Sequence, residues 1–307
     1  MPDPLPDPLP DLMGDPLPDP LPDLTGDLMG DPLPDPLPDP LQGPIPAVPL
    51  VSVLMPAFRA AATLAESVAS VQAQTRGDWE LLIIEDGSGP VDSGPVGSGQ
   101  VGSGDTTLAV AQALAAADGR IRVIALPVNG GAARARNAGL AQARGRFIAF
   151  LDADDLWLPE KLERHLAFMA RTGAAFSYTG FLREVRGRQR PVRIPATVSR
   201  AALLRGNCIG CGTVIYDSAA LGRVEMPDLR LRQDFGLWLR LLRLTPLAHG
   251  LPEALSVHRR RPGSLSSGWG RRLRGTWVLF RQVEGLSRWQ AARCLCAHLV
   301  NRVRAVY

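Results

Sequence analysis

The sequence has no apolar run approaching the ~18–20 residues that span a bilayer, so no transmembrane helix is expected. Its N-terminus is acidic and broken by proline, and lacks the basic and apolar stretches of a secretory signal. Only four cysteines occur, Cys208, Cys211, Cys294 and Cys296, which is too few for a disulfide framework. Cys208 and Cys211 have the spacing of half a zinc site, but no second pair matches it. Small buried thiols in a cytoplasmic protein are therefore expected. No GxGxxG or GxxxxGK segment follows the first apolar strand, which excludes dinucleotide-binding and P-loop proteins. Lysine is almost missing: of 34 basic residues, all but Lys161 are arginine.

What remains is ordinary in bulk and uneven in detail. The 307 residues, 46% hydrophobic and 21% charged, suit a globular protein of one large or two ordinary domains. Residues 1–50 hold ten Asp and no Lys or Arg, whereas all 34 basic residues lie beyond them, so an acidic tail precedes a basic body. Residues 3–42 repeat Asp every fourth position in DPLP units. Proline at alternate positions forbids helix, and an extended chain cannot bury its own leucines. Residues 1–47 thus read as a disordered or polyproline tail. A second low-complexity stretch, 88–105, repeats GSG-like units and reads as a surface loop inserted in the body. The body divides into 48–265, carrying that insertion, and a basic helical segment, 266–307.

From residue 50, short runs that are apolar throughout alternate with helical periods. Strands are expected at 51–55, 80–84, 121–125 and 147–151, and helices at 60–74, 106–117 and 132–144. This is the pattern of a parallel sheet covered on both faces, a doubly wound α/β fold. Ligands of such sheets lie beyond the carboxyl ends of the strands. There the sequence places Glu85, Asp86, Asp152, Asp154 and Asp155. Five carboxylates at one edge repel one another unless a cation or a hydrogen-bonding ligand offsets the cost.

Five segments carry a family resemblance. VSVLMPAFRAAATLAESVASVQAQTRGDWELLIIEDGS resembles the opening of a family 2 glycosyltransferase of GT-A fold, the half that binds a nucleotide-diphospho-sugar. NGGAARARNAGLAQARGRFIAFLDADDLWLPEKL is similar to the stretch leading into that family's metal-binding DxD motif. LRLRQDFGLWLRLL resembles the acceptor-side helix that carries the catalytic base. HGLPEALSVHRRRPGSLSS and WVLFRQVEGLS are similar to bacterial members that build surface polysaccharides. The resemblance covers roughly 49–290.

It implies a role for each matching residue. Ala57, Phe58, Glu85, Asp86, Arg136 and Asp152 would contact the nucleotide-sugar, with Asp86 accepting from a base N–H such as that of uracil. Glu85 and Arg59 stand where the family more often has Asp and Asn. Asp154 would be the direct ligand of Mg²⁺ or Mn²⁺, with Asp152 beside it, and Asp234 would be the general base. The residues themselves allow blander readings. Asp86 opens an Asp-Gly turn, Asp155 could cap a helix from Pro159, and Asp234 could cap a helix over 234–244. One of Arg134 and Arg136 is expected on a solvated helix face. His258 is expected on an edge strand, and Trp157 and Trp238 in the core.

From 257 onward there are eleven Arg against one acid, Glu284, interleaved with Trp277 and Phe280. Peripheral attachment to an anionic membrane or plain packing on the body both fit, and no nucleic-acid motif is present. The expected activity is inverting transfer of a sugar from a nucleotide-sugar, UDP-linked, to a hydroxyl of a surface glycan or lipid-linked acceptor. A non-catalytic nucleotide-sugar binding protein and a nucleotidyltransferase are the rivals.

Overall fold

The computed structural model describes residues 48–88, 105–259 and 269–304. The repeat tail and all but the flanks of the inserted stretch lie outside them. Ten strands form one sheet among the described residues. They are β1 (Val51–Ala57), β2 (Trp79–Asp86), β3 (Ile121–Leu126), β4 (Phe147–Phe150), β5 (Leu156–Trp157), β6 (Phe176–Val185), β7 (Arg188–Val192), β8 (Thr197–Ser199), β9 (Val214–Asp217) and β10 (Leu247–Arg259). The helices are α1 (Ala61–Gln72), α2 (Thr107–Ala117), α3 (Ala132–Gln142), α4 (Lys161–Thr172), α5 (Arg200–Leu203), α6 (Ser218–Leu221), α7 (Gln233–Leu244), α8 (Trp269–Val278) and α9 (Arg288–Arg304).

The sheet runs β3-β2-β1-β4-β9-β6-β10-β5. Its first four strands are parallel, and every residue of β2 is buried, as a strand covered on both faces requires. Beyond β4 the sheet is mixed. β9 lies antiparallel between β4 and β6, and β10 runs parallel to β6. The four parallel strands and their helices follow the sequence pattern to within a few residues. β1 continues through Pro56 to Ala57, where β4 no longer accompanies it and a missing N–H matters less.

Two apolar clusters flank the sheet. One packs Val53, Met55, Leu81 and Ile83 under α1, with Leu64, Val68 and Val71 of that helix facing inward. The other packs Leu54, Ile84 and Phe150 against α3 and α7 and reaches Phe280. Trp238 lies at its centre, 5.7 Å from the rings of both Phe150 and Phe176. Trp157 and Trp238 are both core residues, as expected.

β1, β2 and β4 end at the same edge. Ala57 pairs with Glu85 and Leu54 with Phe150, so the residues after each strand share one rim. Behind the rim sits a buried polar chain. The Lys161 amine contacts His165 Nδ1 at 2.6 Å and donates to the Thr213 carbonyl at 2.9 Å. His165 Nε2 reaches Ser177 Oγ at 2.8 Å. Burial drives both the Lys161 and the His165 pKa well down.

Candidate active site

At the end of β2, Gly87 adopts φ 64°, and a Cβ there would lie 2.5 Å from the backbone of Asn129 and Val128. That close approach lets Asp86 grip the next loop. Its carboxylate accepts from Gly130 N at 2.8 Å, Gly131 N at 2.7 Å and Asn129 Nδ2 at 3.0 Å. Asp86 is 2% exposed. The turn reading fits these contacts, since Asp86 fixes the loop that starts α3. Glu85 accepts from Ser88 N at 2.6 Å, and Ser88 Oγ accepts from Arg59 N at 3.0 Å. The ends of β1 and β2 are tied together in this way. Ala57 is buried, and Phe58 is exposed beneath the Arg59 guanidinium, 5.2 Å from its ring centroid.

At the end of β4 the chain turns, with Asp155 N donating to Asp152 O. Asp152 is ion-paired with Arg136 of α3, which is 4% exposed. Arg134, two residues earlier, pairs at the surface with Asp228 and is the solvated member of the two. Asp155 faces inward. Its carboxylate accepts from His258 Nδ1 at 2.8 Å and Arg259 N at 2.9 Å, which joins the turn to the end of β10. This hydrogen bond raises the His258 pKa to about 9. The helix after the turn starts at Lys161 with Glu160 as its N-cap, so Asp155 caps nothing. His258 pairs with Arg183 of β6 on one side, while on the other β5 reaches only Ser256 and Val257, so His258 stands where β10 runs past its short outer neighbour, as an edge position does.

The cation test turns on which carboxylates have capacity left. No group of three His, Cys, Asp or Glu among the described residues could hold a metal ion unaided. Asp155 is committed to His258 and Arg259. Asp154 and Asp152, both partly exposed on the turn, offer hard oxygen donors. That set fits Mg²⁺ or Mn²⁺, which take one or two carboxylates and fill the remaining positions with water and substrate phosphate.

On the far side stands α7. Its N-cap is Arg232, in the left-handed region at φ 69° and donating to Thr276 Oγ1 at 3.1 Å. Asp234 is the second helical residue, so the cap reading of Asp234 fails. Leu237, Trp238, Leu241 and Leu242 bury the helix and fix its direction. Burial raises the Asp234 pKa, opposed by the Phe235 N–H, Arg136 and Arg232. Burial likewise works against the Arg136 charge, and the ion pair with Asp152 and the charge of Asp234 are among the effects that favour it. Arg136 Nε is buried with no hydrogen-bond partner.

Sequence reasoning missed three features. Asn129, Gly130 and Gly131 serve as the counterpart of Asp86, although Asn-Gly-Gly after a strand is a readable turn signal. The buried Lys161 chain left one signal, a single lysine in an arginine-rich protein. The thiols also differ from expectation: Cys296 is exposed on α9 and the other three are only partly buried. α9 is a surface helix with few inward positions, so its cysteines cannot all face the core.

A profile of Glycosyl transferase family 2 matches residues 52–93 and 102–216. A Bacillus subtilis protein named for teichuronic acid biosynthesis, the glycosyltransferase TuaG, is 34% identical over 259 residues, 83% of this chain and 97% of its own. An Escherichia coli protein, the UDP-Glc:alpha-D-GlcNAc-diphosphoundecaprenol beta-1,3-glucosyltransferase WfgD, is 33% identical over 74% of this chain and 84% of its own. Among solved structures, S. aureus TarS 1–349 in complex with UDP-GlcNAc superposes with TM-score 0.60 at 20% identity, over 81% of this chain and 71% of that one. The mannosyltransferase PcManGT of Pyrobaculum calidifontis, in complex with GDP-Man and Mn²⁺, gives TM-score 0.58 at 16% identity, over 81% and 69%. At these identities the two structures speak for the GT-A fold.

Proposed function

The chain belongs to glycosyl transferase family 2, and on that premise we propose that it inverts the donor sugar's anomeric centre, with Asp234 as general base. The donor is a UDP-sugar, bound along the rim by Ala57, Phe58, Glu85, Asp86, Arg136 and Asp152. The acceptor is a hydroxyl of a surface glycan or lipid-linked oligosaccharide. Relatives named for teichuronic acid and for a diphosphoundecaprenol acceptor support that choice, and the UDP-GlcNAc complex of TarS supports the donor. The observation that carries the reading is the buried Arg136, ion-paired with Asp152 at the strand end and near enough to Asp234 on α7 for the two charges to act on each other.

The acceptor oxygen attacks the anomeric carbon and its proton passes to Asp234. The carbon–oxygen bond to the diphosphate breaks, and the electron pair leaves with the phosphate. Asp154, with Asp152 beside it, would hold the divalent cation, which supplies Lewis-acid neutralisation of the departing charge when bound. Arg136 orients Asp152, and its charge favours the ionised form of Asp234 against burial. The protein acts in the cytoplasm, with peripheral attachment to the membrane through its basic C-terminus. Thermal-shift measurements with UDP-, GDP- and dTDP-sugars plus Mn²⁺ test the donor. Stabilisation by UDP-sugars above the others supports the reading, and no response to any nucleotide-sugar overturns it.

A further inference from the structure

Among the described residues, the outer face of α9 has no partner. Ala291, Cys294, Leu295 and His298 form its inner stripe, and the opposite stripe of Trp289, Arg293, Cys296 and Val300 is exposed. Trp289 is 87% exposed and Val300 48%. An indole that open, one turn before an arginine and in line with a valine, is unusual for a face meant only for water.

The charge around it has one sign. Arg288 and Arg293 are exposed, and α8, packed against α9, adds exposed Arg271 and Arg274. None of these four makes an ion pair among the described residues. The one acid of the region, Glu284, is buried and held by Arg200 and Arg243, so it offsets nothing outside. No Asp or Glu follows it to residue 307.

We infer that this stripe is a docking surface for an anionic lipid bilayer, with Trp289 and Val300 entering the interface and Arg288, Arg293, Arg271 and Arg274 meeting lipid phosphates. An amphipathic helix with Trp on its apolar side and Arg around it binds in the plane of such a surface. A second copy of the chain fits worse, because a two-fold interface sets the patch against itself and brings like charges together. The inner side of the same helix places the His298 ring 5.5 Å from Phe235, the neighbour of Asp234. If the proposed acceptor is lipid-linked, the surface also holds that end of the cleft near the acceptor. The docking itself stands on charge and exposure alone.

The test is sedimentation of the full chain with phosphatidylcholine vesicles, with and without about 30% phosphatidylglycerol. Binding is expected only with the anionic lipid, at least about tenfold above neutral vesicles, and lost at high salt. Arg288→Gln and Arg293→Gln should each weaken it about fivefold, the worth of ~1 kcal/mol per basic residue at a membrane. Trp289→Ala should also weaken binding to the anionic vesicles by several-fold, through lost apolar burial rather than charge. All three sites are exposed, so melting temperature should hold and UDP thermal shifts should match wild type. Equal binding to neutral vesicles, wild-type binding by the variants, or a dimer in light scattering that Trp289→Ala dissociates would each overturn the inference. A missing UDP response alongside intact vesicle binding would count against the donor reading and leave the surface standing.

Discussion

Arg136 and Asp152 are ion-paired between α3 and the end of β4, with the arginine buried and the aspartate a third exposed. The pairing requires a planar guanidinium in a fixed place, which an ammonium does not reproduce. Arg136→Lys keeps the charge and should still cost about 1.5–3 kcal/mol of stability and weaken donor binding by tenfold or more. Arg134→Lys, on the solvated face, is the control and should be near silent in both. Calorimetry on the two variants checks the contrast.

Asp234→Asn should leave donor affinity within a few-fold of wild type and slow transfer by ~10²–10⁴. Because Arg232 holds the cap position, little stability should be lost. A folded variant that retains more than about a tenth of the wild-type rate would rule out the base role.

Asp154→Asn removes a charge from a partly exposed turn and should fold normally. Donor binding should lose its dependence on Mn²⁺, and adding a chelator should then change nothing further. If isothermal titration gives unchanged metal dependence, Asp154 is not the ligand.

Lys161 can shed its proton in the core, and an arginine cannot. Lys161→Arg should therefore cost about 3–5 kcal/mol, as an uncompensated buried charge does. Lys161→Met leaves His165 and the Thr213 carbonyl short of one partner and should cost less, about 1–3 kcal/mol. Chemical denaturation measures both, and the order Arg worse than Met is the point at risk.

His298 packs between Phe235 and Phe280, and burial lowers its pKa to about 4. The unfolded chain takes up this proton near pH 6.5, so the stability the neutral ring contributes is complete above ~6.5 and is lost as pH falls towards about 4. The loss is at most ~3 kcal/mol, and less because water reaches part of the ring. His298→Leu should flatten this part of the stability profile, read as melting temperature against pH.

The parallel half of the sheet was legible because β1, β2 and β4 are apolar at nearly every position and their helices keep a clean period. The mixed half was not. β9 has four residues and β5 two, too short for a period, and β10 passes through bulges that break alternation. The rim carboxylates could be read from their places at strand ends. Their differences could not, since Asp155 and Asp154 are adjacent and alike in sequence, and only the return of β10 commits one of them to His258.

Lys161 carries the one ε-amine of the chain, and it is fully buried. Amine-directed chemistry on the native protein therefore finds no exposed lysine. Acylating reagents and lysine cross-linkers will leave the folded body unmodified, and the accessible surface cannot be acetylated on lysine. The same fact makes Lys161 a one-site reporter. Any incorporation of an amine label there measures opening of the core behind the strand ends, one residue at a time and without a competing background.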